Sequence, residues 1–464
     1  MVLKISNTLS GHLEEFKPLE DNLVRMYTCG PTVYGYAHIG NFRTFIFEDV
    51  LKRYLRFKGY RIKHVMNITD VDDKTIRDSR AKDPSQLREY TDQYTAAFME
   101  DCRQLRIEEP DLVVHATDHI PEMVSLIERL TTKGHTYEKD GSIYFRIASF
   151  KDYGKLSKLD TEGIKPGARV DVDEYEKQDA RDFVLWKAPK PEEPFWTTSI
   201  GSGRPGWHIE CSAMSMKYLG DSFDLHCGGV DNIFPHHENE IAQSESVTGK
   251  PFVRYWMHGE HLIVEGEKMS KSKGNYYTLR DLLQKGIDPL DVRYILLSIP
   301  YKHKLNFTFD ALRQARSSLK RLQDFRIRLK ADQSPLGAAA ELHPLLKQAR
   351  EQFEQAMDDD LNTAQALAAL FELVREINIA MDKKGVSKED RAAIQNTVDE
   401  MNEVFDILAE PEAEMDSRIR ELIEQRNAAR KARNFPLADQ FRAQIYEMGY
   451  IIEDTREGTR WKKR

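Results

Sequence analysis

Apolar residues recur along this chain at two spacings, and the switches between them mark out its elements. Residues 24–29 (VRMYTC) are a short apolar run with the length of a buried strand. A turn-rich stretch follows, GPTVYGYAHIG, with three glycines and one proline. Phe42, Phe45, Ile46, Val50, Tyr54 and Leu55 then fall at helical spacing. They predict a helix from about Asn41 to Lys58, stopped by Gly59. Residues 61–69 (RIKHVMNIT) read as the next strand. Strand, glycine loop, helix and strand make a βαβ unit, which predicts a parallel sheet.

Residues 75–135 carry mostly helical patterns. Residues 136–206 change character: GSIYFRI and RDFVLWK read as short strands, and KAPKPEEP breaks the pattern. That stretch reads as an insertion, after which the sheet resumes near Trp207 and runs to about Pro300. From Thr308 to about Leu408 the pattern is almost all helical, with linker-like breaks at DQSPLG (332–337) and AEPEAE (409–414). A small module closes the chain. One helix covers roughly Ser417 to Arg433, a second runs from near Pro436 to Gly449, and a hairpin (YIIEDT, REGT, RWKKR) follows. The expected fold class is α/β: a parallel-sheet domain with an insertion, an α-helical bundle, then a small α+β module. The expected segments are 1–135, 136–206, 207–307, 308–408 and 415–464.

A chain of 464 residues with 40% hydrophobic content suits two to four domains. No run of 18 apolar residues exists to span a membrane. The start, MVLKISNTLSGHLEEF, lacks the blocks of a secretion signal, so a cytoplasmic location is expected. Cys29, Cys102, Cys211 and Cys227 are too few for a disulfide scaffold, which leaves metal binding or plain burial. The net charge of −8 is uneven. From Arg418 onward there are 12 Lys and Arg against 7 Asp and Glu, a net of +5, which leaves −13 on the rest. A basic end on an acidic body suits a local polyanion contact, although a solvated tail has the same composition.

Two stretches suit phosphate chemistry. The glycine-rich loop from Gly30 to Gly40 precedes a helix, whose N-terminus offers free N–H groups and positive potential. Residues 268–272 read Lys-Met-Ser-Lys-Ser, followed by Lys273, Gly274 and Asn275. Such a flexible cationic loop can close over a triphosphate. Each alone is also an ordinary turn; together they are more. HIGN at 38–41 resembles the HIGH signature of class I aminoacyl-tRNA synthetases, and KMSKS at 268–272 matches that class's second signature letter for letter. Asn41 replaces the second histidine; it can still donate a hydrogen bond but cannot carry charge.

PHHENE at 235–240 suggests a metal. Pro235 suits a first helical position. His236 and Glu240, four apart, would then share a helix face. A protease HExxH fails because position 241 is Ile241. Cys211, in GWHIECSAM, falls where a strand would give way to a helix, and Cys29 ends the first strand. Sites gather at the strand ends of open parallel sheets. With His236 and Glu240 the two cysteines would give a zinc-type S2NO set. Spacing alone fits buried, inert cysteines as well.

CGPTVY, NITDVDDK (67–74), GRPGWHIECSAM (203–214), GGVD with FPHHENE (228–240) and MDDDLNT (357–363) are similar to the cysteinyl-tRNA synthetase family. The resemblance runs from the first strand to nearly the last residues. It implies a Rossmann-type catalytic domain split by the insertion, a helical tRNA-binding domain and an anticodon-side module. It implies Zn2+ on Cys29, Cys211, His236 and Glu240, one ion per chain, with Cys227 a spare and Cys102 structural. It implies ATP with Mg2+, L-cysteine and tRNA(Cys) as partners, and by analogy a monomer. Carried onto this chain, His38, Lys268 and Lys271 are the catalytic expectations, and Gly40, Asn41, Gly229 and Asp231 join them around ATP. Cys29, Thr69, Trp207 and His226 are expected around the substrate cysteine; for Trp207 and His226, core packing is the plain alternative. The nearest rival is a ligase on the same core that joins cysteine to an amino sugar. It would have no use for a basic hairpin containing Trp461.

Overall fold

In the computed structural model, five strands form one fully parallel sheet. They are β1 (Leu23–Thr28), β2 (Arg61–Ile68), β3 (Leu112–His115), β4 (Phe223–Gly229) and β5 (Val253–Gly259). Their order across the sheet is β5-β4-β1-β2-β3, and every pairing is parallel. The structure describes residues 2–158, 182–331, 339–383, 385–408, 417–432, 434–455 and 458–463. The strands are apolar because helices cover the sheet. Helix α1 (Ile39–Phe57) buries Phe42, Ile46, Val50 and Leu55, each worth about 1.5–3 kcal/mol. Strand order reverses between β1 and β4. A doubly wound sheet opens its crevice there, beyond the carboxyl ends of the strands.

Between β3 and β4 the chain builds a second, antiparallel sheet from Thr136–Lys139, Ser142–Phe145, Phe183–Lys187, Trp196–Thr198 and Gly201–Pro205. The KMSKS residues begin on the last residue of a hairpin, Leu262–Val264 with Glu267–Lys268, and Leu305–Phe307 joins that sheet alongside Leu262–Val264.

Two compact units are present. The first takes in residues 1–322 and 332–407, the second 323–331 and 408–464. In the first, helices Ala339–Asp358, Thr363–Lys383 and Lys388–Phe405 follow the sheets. Polar contacts tie them to α1: Tyr54 Oη donates to Asp358 at 2.7 Å, and Arg53 meets Asp406 at 3.2 Å. Arg293 spans the same seam. It lies 2.6 Å from the Asp49 carboxylate and donates through Nε to the Phe405 carbonyl at 2.7 Å. In the second unit, helices Ser417–Lys431 and Phe435–Glu447 pack Ile419, Ile423 and Ile445 with Ile452 of a terminal hairpin, Tyr450–Thr455 with Gly458–Lys463.

The region 75–135 is mostly helical, as expected, and also carries β3; LVVH is only four residues long and sits among stronger helical periods. Two sequence expectations need correction. Helix α2 (Trp207–Leu219) precedes β4, so the sheet resumes at Phe223 and not near Trp207. Cys211 therefore lies inside α2, and the strand before it belongs to the antiparallel sheet. Pro235 does open the PHHENE helix, as expected. Phe234 is extended (φ −139°, ψ 131°), as a residue before proline tends to be, and the Phe234–Pro235 bond is cis. After that kink Pro235, His236 and His237 have helical backbone and lead directly into helix α3 (Glu238–Thr248).

Candidate active site and metal centre

A cleft of about 740 Å³ opens where the strand order reverses. Its wall at the N-terminus of α1 is built by mutual capping. The Asn41 backbone N–H donates to His38 Nδ1 at 3.1 Å, and the His38 N–H donates to Asn41 Oδ1 at 3.0 Å. Two of the helix's orphan donors are thereby satisfied. Burial lowers the His38 pKa to about 4, and the positive charge of Lys271 pushes the same way. The ring is therefore neutral at pH 7. Since Nδ1 accepts, the proton sits on Nε2, a donor ready for an anionic oxygen. Gly40 is small by necessity. A Cβ there would meet the His38 ring at 3.0 Å and Met269 Cε at 3.1 Å.

The lysine loop packs beside this helix start. Lys268 and Met269 line the cleft. Lys271 does not; its ammonium stands 5.1 Å from the centre of the Tyr276 ring, which also meets His38 edge-on at 5.2 Å. The loop is flanked by left-handed residues: Glu265 (φ 50°) and Gly266 (φ 80°) on one side, Gly274 (φ 69°) on the other. Past it the backbone is pinned to α1, Ile39 N–H donating to the Tyr277 carbonyl at 3.0 Å. Gly229 and Asp231 line the cleft after β4. The Asp231 carboxylate is exposed and lies 3.2 Å from His261.

At the inner end, Cys29, Cys211, His236 and Glu240 come together. One ligand atom from each lies within 4.8 Å of all the others. Glu240 Oε1 is 3.1 Å from His236 Nε2 yet accepts no hydrogen bond. Glu240 Oε2 is 3.0 Å from His226 Nε2. His236 presents Nε2 to this group because Nδ1 faces His208 Nδ1 at 3.0 Å and Trp207 stacks on its ring at 4.1 Å. Burial would raise the Glu240 pKa, but His226 and His236 bring it below the usual value. Burial pushes both thiols up, Cys211 well above an ordinary thiol. Two thiols, an imidazole and a carboxylate with an orphaned oxygen fit a thiophilic dication, whose charge would ionise the sulfurs.

A second grouping shares two members: Cys29, His226, His237 and Glu240. Cys29, Cys211 and His236 line the cleft, whereas His226 and His237 do not. His226 lies behind Glu240, fully buried, stacked on Trp256 at 4.6 Å. Of the other residues expected around a substrate, Thr69 and Trp207 line the cleft. Thr69 Oγ1 donates to Glu210 Oε2 at 3.1 Å and accepts from Asn67 Nδ2 at 3.1 Å. Cys102 and Cys227 are buried and outside both groupings. Sequence reasoning missed Asn67, His208, Glu210, His237 and His258. The doublet at 236–237 was the one available signal.

A family model for the tRNA synthetases class I (C) catalytic domain matches residues 15–317, and one for the DALR domain matches 352–410. The methionyl-tRNA synthetase of Mycobacterium tuberculosis, solved with methionyl-adenylate, aligns at TM-score 0.58 and 18% identity over 83% of this chain and 90% of that one. A leucyl enzyme (LeuRS) of Agrobacterium radiobacter, solved with tRNA, aligns at TM-score 0.59 and 11% identity over 85% and 84%. Parallel sheet, paired signature loops and matched catalytic domain make this chain a class I aminoacyl-tRNA synthetase. Within that class, the cysteine–tRNA ligase of Solibacter usitatus is 55% identical over the whole of both chains. That of Koribacter versatilis is 51% identical over the whole of both, and that of Leptospira interrogans 47% over 100% and 99%. The chain belongs to the cysteine–tRNA ligase family.

Proposed function

We propose that this chain activates L-cysteine with ATP and Mg2+ and transfers it to tRNA(Cys). The carboxylate of cysteine attacks the α-phosphorus of ATP, forming cysteinyl-adenylate and releasing pyrophosphate; the terminal ribose hydroxyl of the tRNA then displaces AMP. Neither step needs a protein nucleophile. Positioning and charge neutralisation suffice. His38 donates from Nε2 to the phosphates. Lys268 meets them from the neighbouring lysine loop, and Lys271 joins on leaving Tyr276. Asp231 and Gly229 receive the adenosine, the carboxylate accepting from ribose hydroxyls, while Gly40 leaves room for the nucleotide at the helix N-terminus and Asn41 holds His38 beside it.

Cys29, Cys211, His236 and Glu240 would hold a zinc ion. Zinc there would supply a soft Lewis acid that takes the substrate sulfur as thiolate, beside or in place of Glu240; serine's hydroxyl is harder and far less acidic. Apolar packing alone separates near-isosteres by only about 1–3 kcal/mol. Trp207 and Thr69 close the pocket around the rest of the amino acid. His226 acts from behind by orienting Glu240.

The observation that carries this reading is the S2NO cluster at the inner end of a cleft whose mouth bears both signature loops. Full-length similarity through the basic C-terminal module favours tRNA over an amino-sugar acceptor. We assign 1–135 and 207–307 to the catalytic domain, 136–206 to its insertion, and 308–408 and 415–464 to tRNA contacts. A monomer in the cytoplasm fits the family; among the described residues no helix is long and apolar enough to cross a membrane. The test is cysteine-dependent ATP–pyrophosphate exchange, repeated with serine, followed by charging of total tRNA. Exchange with cysteine but no charged tRNA would remove the tRNA assignment.

A further inference from the structure

A run of polar side chains leads away from Cys29 into the protein, on the side that does not face the cleft. His237 Nε2 lies 3.3 Å from Cys29 Sγ. His237 Nδ1 lies 2.8 Å from His258 Nε2, and His258 Nδ1 lies 2.7 Å from Thr8 Oγ1. Both rings are buried. Thr8 is held against β5 by its own N–H, which donates to the Trp256 carbonyl at 2.9 Å. The place of the His237 ring is reserved as well: a Cβ on Gly228 would come within 2.9 Å of its Cε1.

We infer that Thr8, His258 and His237 form a one-way donor chain that ends on Cys29 and strengthens its hold on the metal. The inference rests on the zinc reading above. A ligating cysteine is a thiolate and has no proton to give. The proton between sulfur and His237 therefore sits on Nε2. A neutral imidazole with its proton on Nε2 can only accept at Nδ1. His258 must then donate from Nε2 and accept at Nδ1, which obliges the Thr8 hydroxyl to donate. Each link polarises the next in a low-dielectric interior, so the last N–H is a better donor to a buried thiolate than an isolated imidazole. Both rings are enclosed, where a charged imidazole would be costly. Neither ring lines the cleft, so His237 is a positioning residue that touches the ligand and not the substrate. A metal-bound histidine is commonly oriented by its other ring nitrogen. Here the same device serves a cysteine, from three residues away.

Thr8→Val removes the far hydroxyl, two imidazoles away from the sulfur, and Thr8→Ser keeps it. Zinc affinity of the full chain is read by competition with a chromogenic chelator, and the tautomers of His237 and His258 by two-bond 15N–1H NMR correlation. Thr8→Val should weaken zinc binding by roughly 10-fold and Thr8→Ser should match the parent, with His237→Gln weaker still. Both rings should carry their proton on Nε2 in the zinc-loaded protein. Parent-like zinc affinity in Thr8→Val, or a proton on His237 Nδ1, would overturn the chain. A parent protein that binds no zinc would instead sink the metal reading itself.

Discussion

Replacing Asn41 separates the two jobs that the structure gives it. Its side chain accepts the His38 N–H at 3.0 Å, and its own N–H holds His38 Nδ1 at 3.1 Å. Asn41→Ala deletes the first bond and leaves the second. One capping interaction is worth about 1 kcal/mol, so denaturant unfolding should show a loss of that size. If the whole amount also served to hold His38 in line for the transition state, pyrophosphate exchange would slow by about 5-fold. Asn41→Asp keeps an acceptor at the same place and suits the positive end of α1. Its stability should therefore match the parent. Its charge, however, would face the triphosphate, so KM for ATP should rise while the fold is untouched. Stability and exchange would be measured on the same preparations. An Asn41→Asp protein as unstable as Asn41→Ala would refute the capping argument. One with unchanged KM for ATP would refute the placement of the phosphates.

Four further outcomes follow from particular contacts. Lys271→Ala should cut the adenylation rate by roughly 10²–10³-fold, in the range of a lost transition-state donor, with little change in cysteine affinity; single-turnover adenylate formation separates the two. Arg293→Met leaves the buried Asp49 carboxylate with Arg53 and one backbone N–H, and should cost about 3–5 kcal/mol in denaturant unfolding. Burial would raise Asp73, but Arg204 and Lys187 lower it to about 2. Its contribution to stability is thus full above the ordinary carboxylate pKa of about 3.9 and is lost as pH falls toward 2, and Asp73→Asn should flatten the stability profile in that window. Removing residues 415–464 should weaken tRNA charging more than adenylate formation, read as KM for tRNA against the exchange rate.

The parts of this protein legible in its sequence are those built from neighbours along the chain. The βαβ start was readable because Phe42, Ile46, Val50 and Leu55 repeat at helical spacing between two apolar runs. The lysine loop was readable because all its chemistry is contiguous. What spacing alone could not show depends on strand order. Cys29 and Cys211 meet because β1 and α2 are adjacent in space, at a separation of 182 positions that no spacing rule covers. His237 and His258 are 21 apart and meet only because α3 follows β4, beside β5. The PHHENE helix was readable for a local reason: proline at 235 pushes Phe234 out of helical space and starts the helix, so His236 and Glu240 meet four positions apart on one face. The role of Asn41 was hidden because a cap partner is visible only once the helix start is known to one residue.

The central claim is that a metal held by Cys29, Cys211, His236 and Glu240 decides which amino acid is accepted. Zinc can be stripped with a chelator, and exchange measured with cysteine and with serine before and after one equivalent of zinc is returned. Cysteine-dependent exchange should vanish on stripping, serine should gain nothing, and one equivalent should restore the parent rate. Stripped protein that still activates cysteine and still rejects serine would contradict the account.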